Sequence, residues 1–201
     1  VHADGSVLVV AKPGGLLSVP GLGPTKADCL SARVRAAYPE ALVVHRLDRD
    51  TSGLMVFARS PAAQRALNRQ FEQRRVDKRY IAIVAGRPGE ASGVIDLPLR
   101  KDMTRKHRHV VDREGGRAAR TRWRVVGWTP AGARLELAPE TGRSHQLRVH
   151  CAAMGWPIVG DPLYGGAEDP PAARLMLHAT DLCFDHPDTG ARMHLQSEAP
   201  F

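Results

Sequence analysis

A chain of 201 residues with a formal charge of +8 and a pI near 10.0 is long enough for a real core and carries an excess of surface cation. That balance argues for a polyanionic partner, since Lys and Arg release counterions when they neutralise phosphates. No apolar run approaches a membrane span, and three widely spaced cysteines (Cys29, Cys151, Cys183) form neither a disulfide framework nor a C-x-x-C pair. A membrane protein, a secreted disulfide scaffold and a zinc module are therefore not expected, and the cysteines fit buried thiols in a reducing cytoplasm.

Residues 7–11 form a short apolar strand stopped by Lys12-Pro13-Gly14-Gly15. Residues 28–38 read as a helix with Leu30, Val34 and Ala37 on one face, and residues 54–58 as a buried strand. Ser60 as N-cap and Pro61 at the first helical position begin a second helix, to about Phe71, with Ala63, Leu67 and Phe71 in one stripe. Residues 80–84 form a strand entered from the charged stretch 74–79, and residues 121–125 and 134–137 alternate as two more. Residues 141–144 lead into a short helix with Leu147, Cys151 and Met154 inward, closed by Gly155. Late strands follow at 175–179 and 192–195. Strands and helices do not alternate strictly, so the fold class is α+β with a mixed sheet. No composition break divides residues 1–201, so a single domain is expected.

Between Arg100 and Arg124 ten Lys or Arg stand against three acids, Asp102, Asp112 and Glu114. Apolar residues are sparse there and Gly115-Gly116 break the middle. The expectation is a basic, mobile arm over residues 100–120 that closes on a phosphate backbone, with Arg105, Lys106 and Arg108 as RNA contacts. A merely solvated loop would need both charge signs.

Two segments carry chemistry. In His45-Arg46-Leu47-Asp48-Arg49-Asp50-Thr51-Ser52-Gly53 a carboxylate lies between two guanidiniums just before the strand at 54–58. Nearby positive charge favours the ionised form of a carboxylate, which can then serve as nucleophile or base. This is not the H-R-D loop of a kinase: Leu47 separates Arg46 from Asp48, and neither a D-F-G nor a Gly-rich companion is present. In the second segment, residues 139–150, Arg143, His145, Gln146 and Arg148 crowd cationic and polar groups at a helix start, where backbone N–H groups attract anions. The five-residue spacing of His145 and His150 does not stack them on one helix face, so no metal is expected. Tyr80, beside Lys78 and Arg79, is either a packing residue or a stacking platform for a base.

HRLDRDTSG, KRYIAIVAG, PETGRSHQLRVH, GWPIVGDPLYGG and RLMLHATDLCFDHPDTG, in this order over nearly the whole chain, resemble the RluA-type RNA pseudouridine synthases. The opening VLVVAKPGGLLSVPG and the ending at Ala199-Pro200-Phe201 are similar to the compact members that act on tRNA and 23S ribosomal RNA. The resemblance implies a mixed, mostly antiparallel eight-stranded sheet with flanking helices and a central catalytic cleft. It implies conversion of uridine to pseudouridine, in a 23S rRNA hairpin, a tRNA anticodon loop or both, by flipping the base out of its stack. It also implies Asp48 as the catalytic aspartate, Tyr80 stacking on the target base and Arg148 paired with the aspartate. Arg46 would lie near the vacated helix position, and Leu177 would form an apolar wall. Arg143, His145 and Gln146 join the RNA contacts. The reaction is an isomerisation, so no cofactor is needed, and a monomer without an obligate protein partner is expected. The rival reading, an RNA-binding or assembly factor without catalysis, shares the charge and the tyrosine and differs at Asp48 and Arg148.

Overall fold

The computed structural model describes residues 1–23 and 26–201. They fall into two compact units, residues 1–78 with 178–200, and residues 79–177 with Phe201.

The first unit is built on an apolar strand pair. β1 (His2–Ala3) and β2 (Val7–Lys12) form a tight hairpin, its turn held by Asp4 Oδ1, which accepts the N–H groups of Ser6 (2.8 Å) and Val7 (2.9 Å). α1 (Leu30–Ala37) starts at Cys29 without a side-chain cap, and carbonyls of Leu17 and Ser18 take the N–H groups of Leu30 and Ser31 instead. Leu30 and Val34 are buried as their spacing predicts, but Ala37 is exposed, because the inward stripe ends one turn early. β3 (Leu42–Val43) pairs with the end of β4 (Ser52–Ala58), all seven residues of which are buried. β4 runs antiparallel to β2 from Val7↔Ala58 to Lys12↔Gly53.

α2 (Pro61–Glu72) begins as predicted: Ser60 Oγ accepts the N–H of Ala63 at 3.1 Å, and Pro61 occupies the first turn. Its Ala63 and Leu67 pack on Val7, Val9, Leu54 and Val56, with Phe71 at the margin. β11 (Leu177–Asp185) lies parallel to β4 at His178↔Ser52 and Ala179↔Gly53 and antiparallel to β12 (Arg192–Gln196).

In the second unit β5 (Asp77–Ala85), β10 (Gly132–Pro139), β9 (Arg120–Thr129) and β6 (Ser92–Asp96) are hydrogen-bonded in that order, all antiparallel. Burial alternates with period two along β9 and β10: Thr121, Trp123, Ala133, Leu135 and Leu137 face in. On the other face Arg122 and Arg124 pair with Glu140 (2.5 Å) and Glu136 (2.8 Å). α3 (Gln146–Ala153) sets Leu147 and Cys151 against this core with Trp156, whose ring lies 5.2 Å from that of Trp123.

Part of the basic stretch has regular backbone. β7 (Leu99–Lys101) and β8 (His109–Val111) form an antiparallel ribbon, and Asp102 Oδ1 ties its tip by accepting the N–H groups of Thr104 and Arg105. Leu99, Val111 and Ala119 pack with Val149 of α3, which is why this charged segment holds regular structure.

The fold is the expected α+β class. Among the described residues eight strands have five or more residues, joined by the four short strands β1, β3, β7 and β8 and by three helices. No helix among the described residues is long and apolar enough to cross a membrane.

Candidate active site

The segment carrying Asp48 is irregular, bends at Arg49 and Asp50 and feeds into β4, and the first unit fixes it at four points. His45 Nε2 accepts the N–H of Val56 at 3.0 Å, and its ring stacks on Phe71 with centroids 4.7 Å apart. Burial, reinforced by the Lys78 charge, pulls this imidazole down to about 3, so at neutral pH it is an uncharged acceptor. The buried Leu47 peptide is gripped by Ser18, whose Oγ accepts the Leu47 N–H (3.1 Å) and donates to its carbonyl (2.6 Å). One residue past Asp48, the carbonyl of Arg49 accepts from Lys12 Nζ at 2.7 Å. Lys12 is 1% exposed, and the same ammonium donates to the carbonyls of Leu16 (2.7 Å) and Pro13 (2.9 Å).

The fourth point is Gly53, at φ +114°, where an added Cβ would stand 2.3 Å from the carbonyl oxygen of Ala179. Only glycine lets β4 and β11 approach so closely. Beside it, Ser52 Oγ and His178 Nδ1 are 2.7 Å apart, and His178 Nε2 reaches Ser197 Oγ at 3.1 Å.

Asp48 thus hangs, half-buried, between two pinned peptides, while Arg46 and Arg49 on either side are exposed. Asp50 lies 4.0 Å from Arg49 Nε, and Thr51 is buried, consistent with supporting roles.

In the second unit Tyr80 on β5 stands opposite Leu137 and packs, half-buried, against the core that includes Leu135 and Leu137. Leu177 belongs to that core and is buried. Arg148 is 2% exposed, and Asp161 holds it with a two-pronged pair: Nε to Oδ2 and Nη2 to Oδ1, both 2.7 Å. Asp161 Oδ1 also accepts the N–H groups of Leu163 (2.9 Å) and Tyr164 (3.1 Å), so both members of this buried pair are well satisfied. The guanidinium carbon of Arg148 lies 5.2 Å from the centre of the Tyr164 ring.

Of the expected RNA contacts, Arg105 and Lys106 are exposed at the ribbon tip, and Arg108 is half-buried against the other side chains there, 5.1 Å from the Tyr164 ring centre. Arg143 is half-buried and donates through Nε to the carbonyl of Ala118 at 3.0 Å. His145, the N-cap of α3, has left-handed backbone (φ +56°) and puts Nδ1 2.8 Å from the Tyr164 hydroxyl.

Gln146 must be corrected. It is buried; its Oε1 accepts from Thr141 Oγ1 (2.6 Å) and Arg143 N–H (3.0 Å), and its Nε2 donates to the carbonyl of Arg120 and to Thr121 Oγ1, both at 3.0 Å. This amide welds the turn before α3 to β9 and does not face RNA. His150 completes the chain of bonds, with Nδ1 2.9 Å from Thr121 Oγ1 and Nε2 donating to the Leu97 carbonyl at 3.0 Å. Burial lowers its pKa. Met154, expected inward, is exposed beyond the helix end, where Gly155 at φ +81° turns the chain as predicted.

Sequence reasoning did not single out Lys12, Ser18, Asp161 or Tyr164. Asp161 and Tyr164 sit in the recognised stretch GWPIVGDPLYGG, but no charge pattern there marks a partner for Arg148. Lys12 ends a strand where a solvated lysine is the ordinary expectation. No group of three or more His, Cys, Asp or Glu among the described residues is arranged to hold a metal ion.

Residues 6–153 match the family model of RNA pseudouridylate synthases, a span holding the Asp48 loop, Tyr80 and Arg148. The whole chain is 46% identical to the dual-specificity RNA pseudouridine synthase RluA of Yersinia pestis, covering 98% of that protein. It is 44% identical to RluA of Escherichia coli (strain K12), covering 93% of it. Among solved structures it is similar to human RNA pseudouridylate synthase domain containing 1, with a TM-score of 0.84 at 30% identity over 100% of this chain and 83% of that one. Human RNA pseudouridylate synthase domain containing 4 gives 0.77 at 27% identity, over 99% and 87% of the two chains. Motifs, fold and full-length identity agree: this chain belongs to the RNA pseudouridylate synthase family, whose members isomerise uridine to pseudouridine in RNA.

Proposed function

We propose that this enzyme modifies uridines in both ribosomal RNA and transfer RNA, as the name of its dual-specificity relatives suggests, and that Asp48 is its catalytic carboxylate. The reaction breaks the N1–C1′ bond of uridine, turns the uracil and joins C5 to C1′. The hydrogen on C5 leaves and N1 gains one, so no atom or electron is gained or lost. The residue chemistry suits that path. Asp48 acts on the ribose–uracil unit, by attack at C1′ or by taking a sugar proton. Arg148 serves as its charge partner, Tyr80 stacks on the base, Leu177 adds an apolar wall and Arg46 fills the place the nucleotide leaves. Extruding the base costs a few kcal/mol, less in a loop than in a duplex. Arg105, Lys106, Arg108, Arg143 and His145 contribute phosphate contacts that offset this cost. The enzyme works as a monomer in the cytoplasm, where both RNAs reside.

The observation that most supports this reading is the pinning of the peptides on both sides of Asp48 by Ser18 and Lys12. A carboxylate held this way needs little reorganisation on the way to the transition state.

The test is Asp48→Asn on a 23S rRNA hairpin and a tRNA anticodon stem-loop. Both RNAs should still bind within about twofold of the parent, with no pseudouridine formed in either. Measurable product from the folded variant overturns the assignment of Asp48, and modification of only one RNA by the parent enzyme overturns the dual specificity. For Arg148 the variant is Arg148→Lys, because alanine would strand the buried Asp161 charge. It should slow single turnover about 100-fold or more while RNA affinity changes modestly.

A further inference from the structure

Three elements of the second unit meet at one side chain, Tyr164, to which the reaction as assigned gives no task. Its ring centre is 5.1 Å from the guanidinium carbon of Arg108, on the basic ribbon, and 5.2 Å from that of Arg148. Its hydroxyl accepts the N–H of His109, the first residue of β8, at 2.8 Å, and lies within hydrogen-bond distance, 2.8 Å, of His145 Nδ1. Its backbone N–H bonds Asp161, the carboxylate that holds Arg148. One residue therefore touches the ribbon, the N-cap of α3, and both members of the buried ion pair.

These contacts differ from ordinary packing. Two like-charged guanidiniums share one π system, which draws cations to its face while the cations repel each other. Arg108 Nε is buried with no hydrogen-bond partner among the described residues, so the Tyr164 ring is what the structure offers that charge. His145 holds left-handed backbone, uncommon for a non-glycine residue, and its ring bonds the Tyr164 hydroxyl. Three residues farther along the same helix is Arg148. Burial raises the phenol pKa, so the hydroxyl keeps its proton at neutral pH.

We propose that Tyr164 is a positioning residue that couples the seating of the basic ribbon on RNA to the placement of the Arg148 guanidinium. A phosphate that binds Arg108 seats that guanidinium on the ring, and the ring in turn steadies Arg148. At the same time the hydroxyl keeps the ribbon and the start of α3 in one register. Competence for the isomerisation then follows correct docking rather than mere contact with RNA. The inference rests on the role given to Arg148 above.

The test uses the intact enzyme with single-turnover pseudouridine formation at saturating RNA, RNA Kd and thermal melting as readouts. Tyr164→Phe keeps the ring and removes both hydroxyl bonds; Tyr164→Leu removes the ring as well. The expected loss of rate is about tenfold for the first and about 100-fold for the second, with Kd within about threefold. Arg108→Gln should slow the parent about fivefold at saturation and leave Tyr164→Leu unchanged, a non-additivity that two independent residues would not give. Full rate in Tyr164→Phe, multiplicative losses in the double variant, or losses confined to Kd overturn the coupling. Should Tyr164→Leu fail to fold, Tyr164→Phe decides alone. If Arg148→Lys is impaired while Tyr164→Phe is not, only the coupling falls; if Arg148→Lys keeps the parental rate, the role of Arg148 falls with it.

Discussion

Lys12 is a lysine buried for the sake of its neighbours. An ammonium carries three donors, and the carbonyls of Pro13, Leu16 and Arg49 each take a bond from it. It closes the glycine-rich turn onto the Asp48 loop. Lys12→Met fills a similar volume with no donor, and should destabilise the fold by roughly 1–3 kcal/mol in urea titrations. The larger effect should be catalytic, a loss of about tenfold or more in single-turnover rate with RNA affinity unchanged, because the peptide after Asp48 is released. An unaltered rate would mean the loop keeps its shape without the clamp. At this scale Asp48 was legible, because charge alternation and a motif both point to it. Its clamps were not, since burial of a lone Lys or Ser is decided by chain segments far from it in sequence.

α3 shows where pattern reading misleads. Leu147, Cys151 and Met154 read as an amphipathic stripe, yet Gln146 through Cys151 are buried on every side. The polar members survive inside because each finds partners: Gln146 with four groups, Arg148 with Asp161, His150 with Thr121 and Leu97. Periodicity reports only apolar faces, so a helix whose buried face is polar looks like a surface helix. Gln146→Leu tests this directly. It strands the acceptors and donors of Arg120, Thr141 and Arg143 and should cost about 2–4 kcal/mol, read as a lower melting temperature. RNA Kd of the folded protein should stay at the parental value, whereas an RNA-contacting glutamine would weaken it. The ribbon of β7 and β8 was hidden for another reason: two strands of three residues are too short for an alternation to emerge from the charge around them. Ser60 and Pro61, by contrast, announce α2 from the sequence, because a cap is a local device.

For the molecule as a whole, the resolved protonation shifts of its buried histidines and acids point toward loss of stability in acid. His45 is held at about 3 against an ordinary value near 6.5. The unfolded chain thus takes the proton first, and the stabilisation is complete above pH 6.5 and lost as pH falls toward 3. His150 is lowered by burial and adds in the same sense. Asp4 and Asp181, lowered mainly by hydrogen bonds that outweigh burial, add to the loss only below about pH 4. Between pH 7.5 and pH 5 unfolding free energy from urea titrations should fall by on the order of 2 kcal/mol. His45→Gln, which keeps an acceptor for the Val56 N–H, should flatten that slope; an unchanged slope would place the acid sensitivity elsewhere. The fold class and the longer strands were readable at this scale. The parallel pairing of β4 with β11 was not, because Ser52 and His178 are 126 residues apart and nothing local foretells their meeting.

That pairing has a consequence for synthesis. A polypeptide leaving the ribosome presents Asp48 early, but the strand that lies beside Ser52 and Gly53 begins only after residue 177. Until translation has passed that point the first unit lacks a backbone neighbour it needs. The aspartate is therefore set in its final frame only after translation has passed these residues, and a product truncated before them would carry the motif without the enzyme.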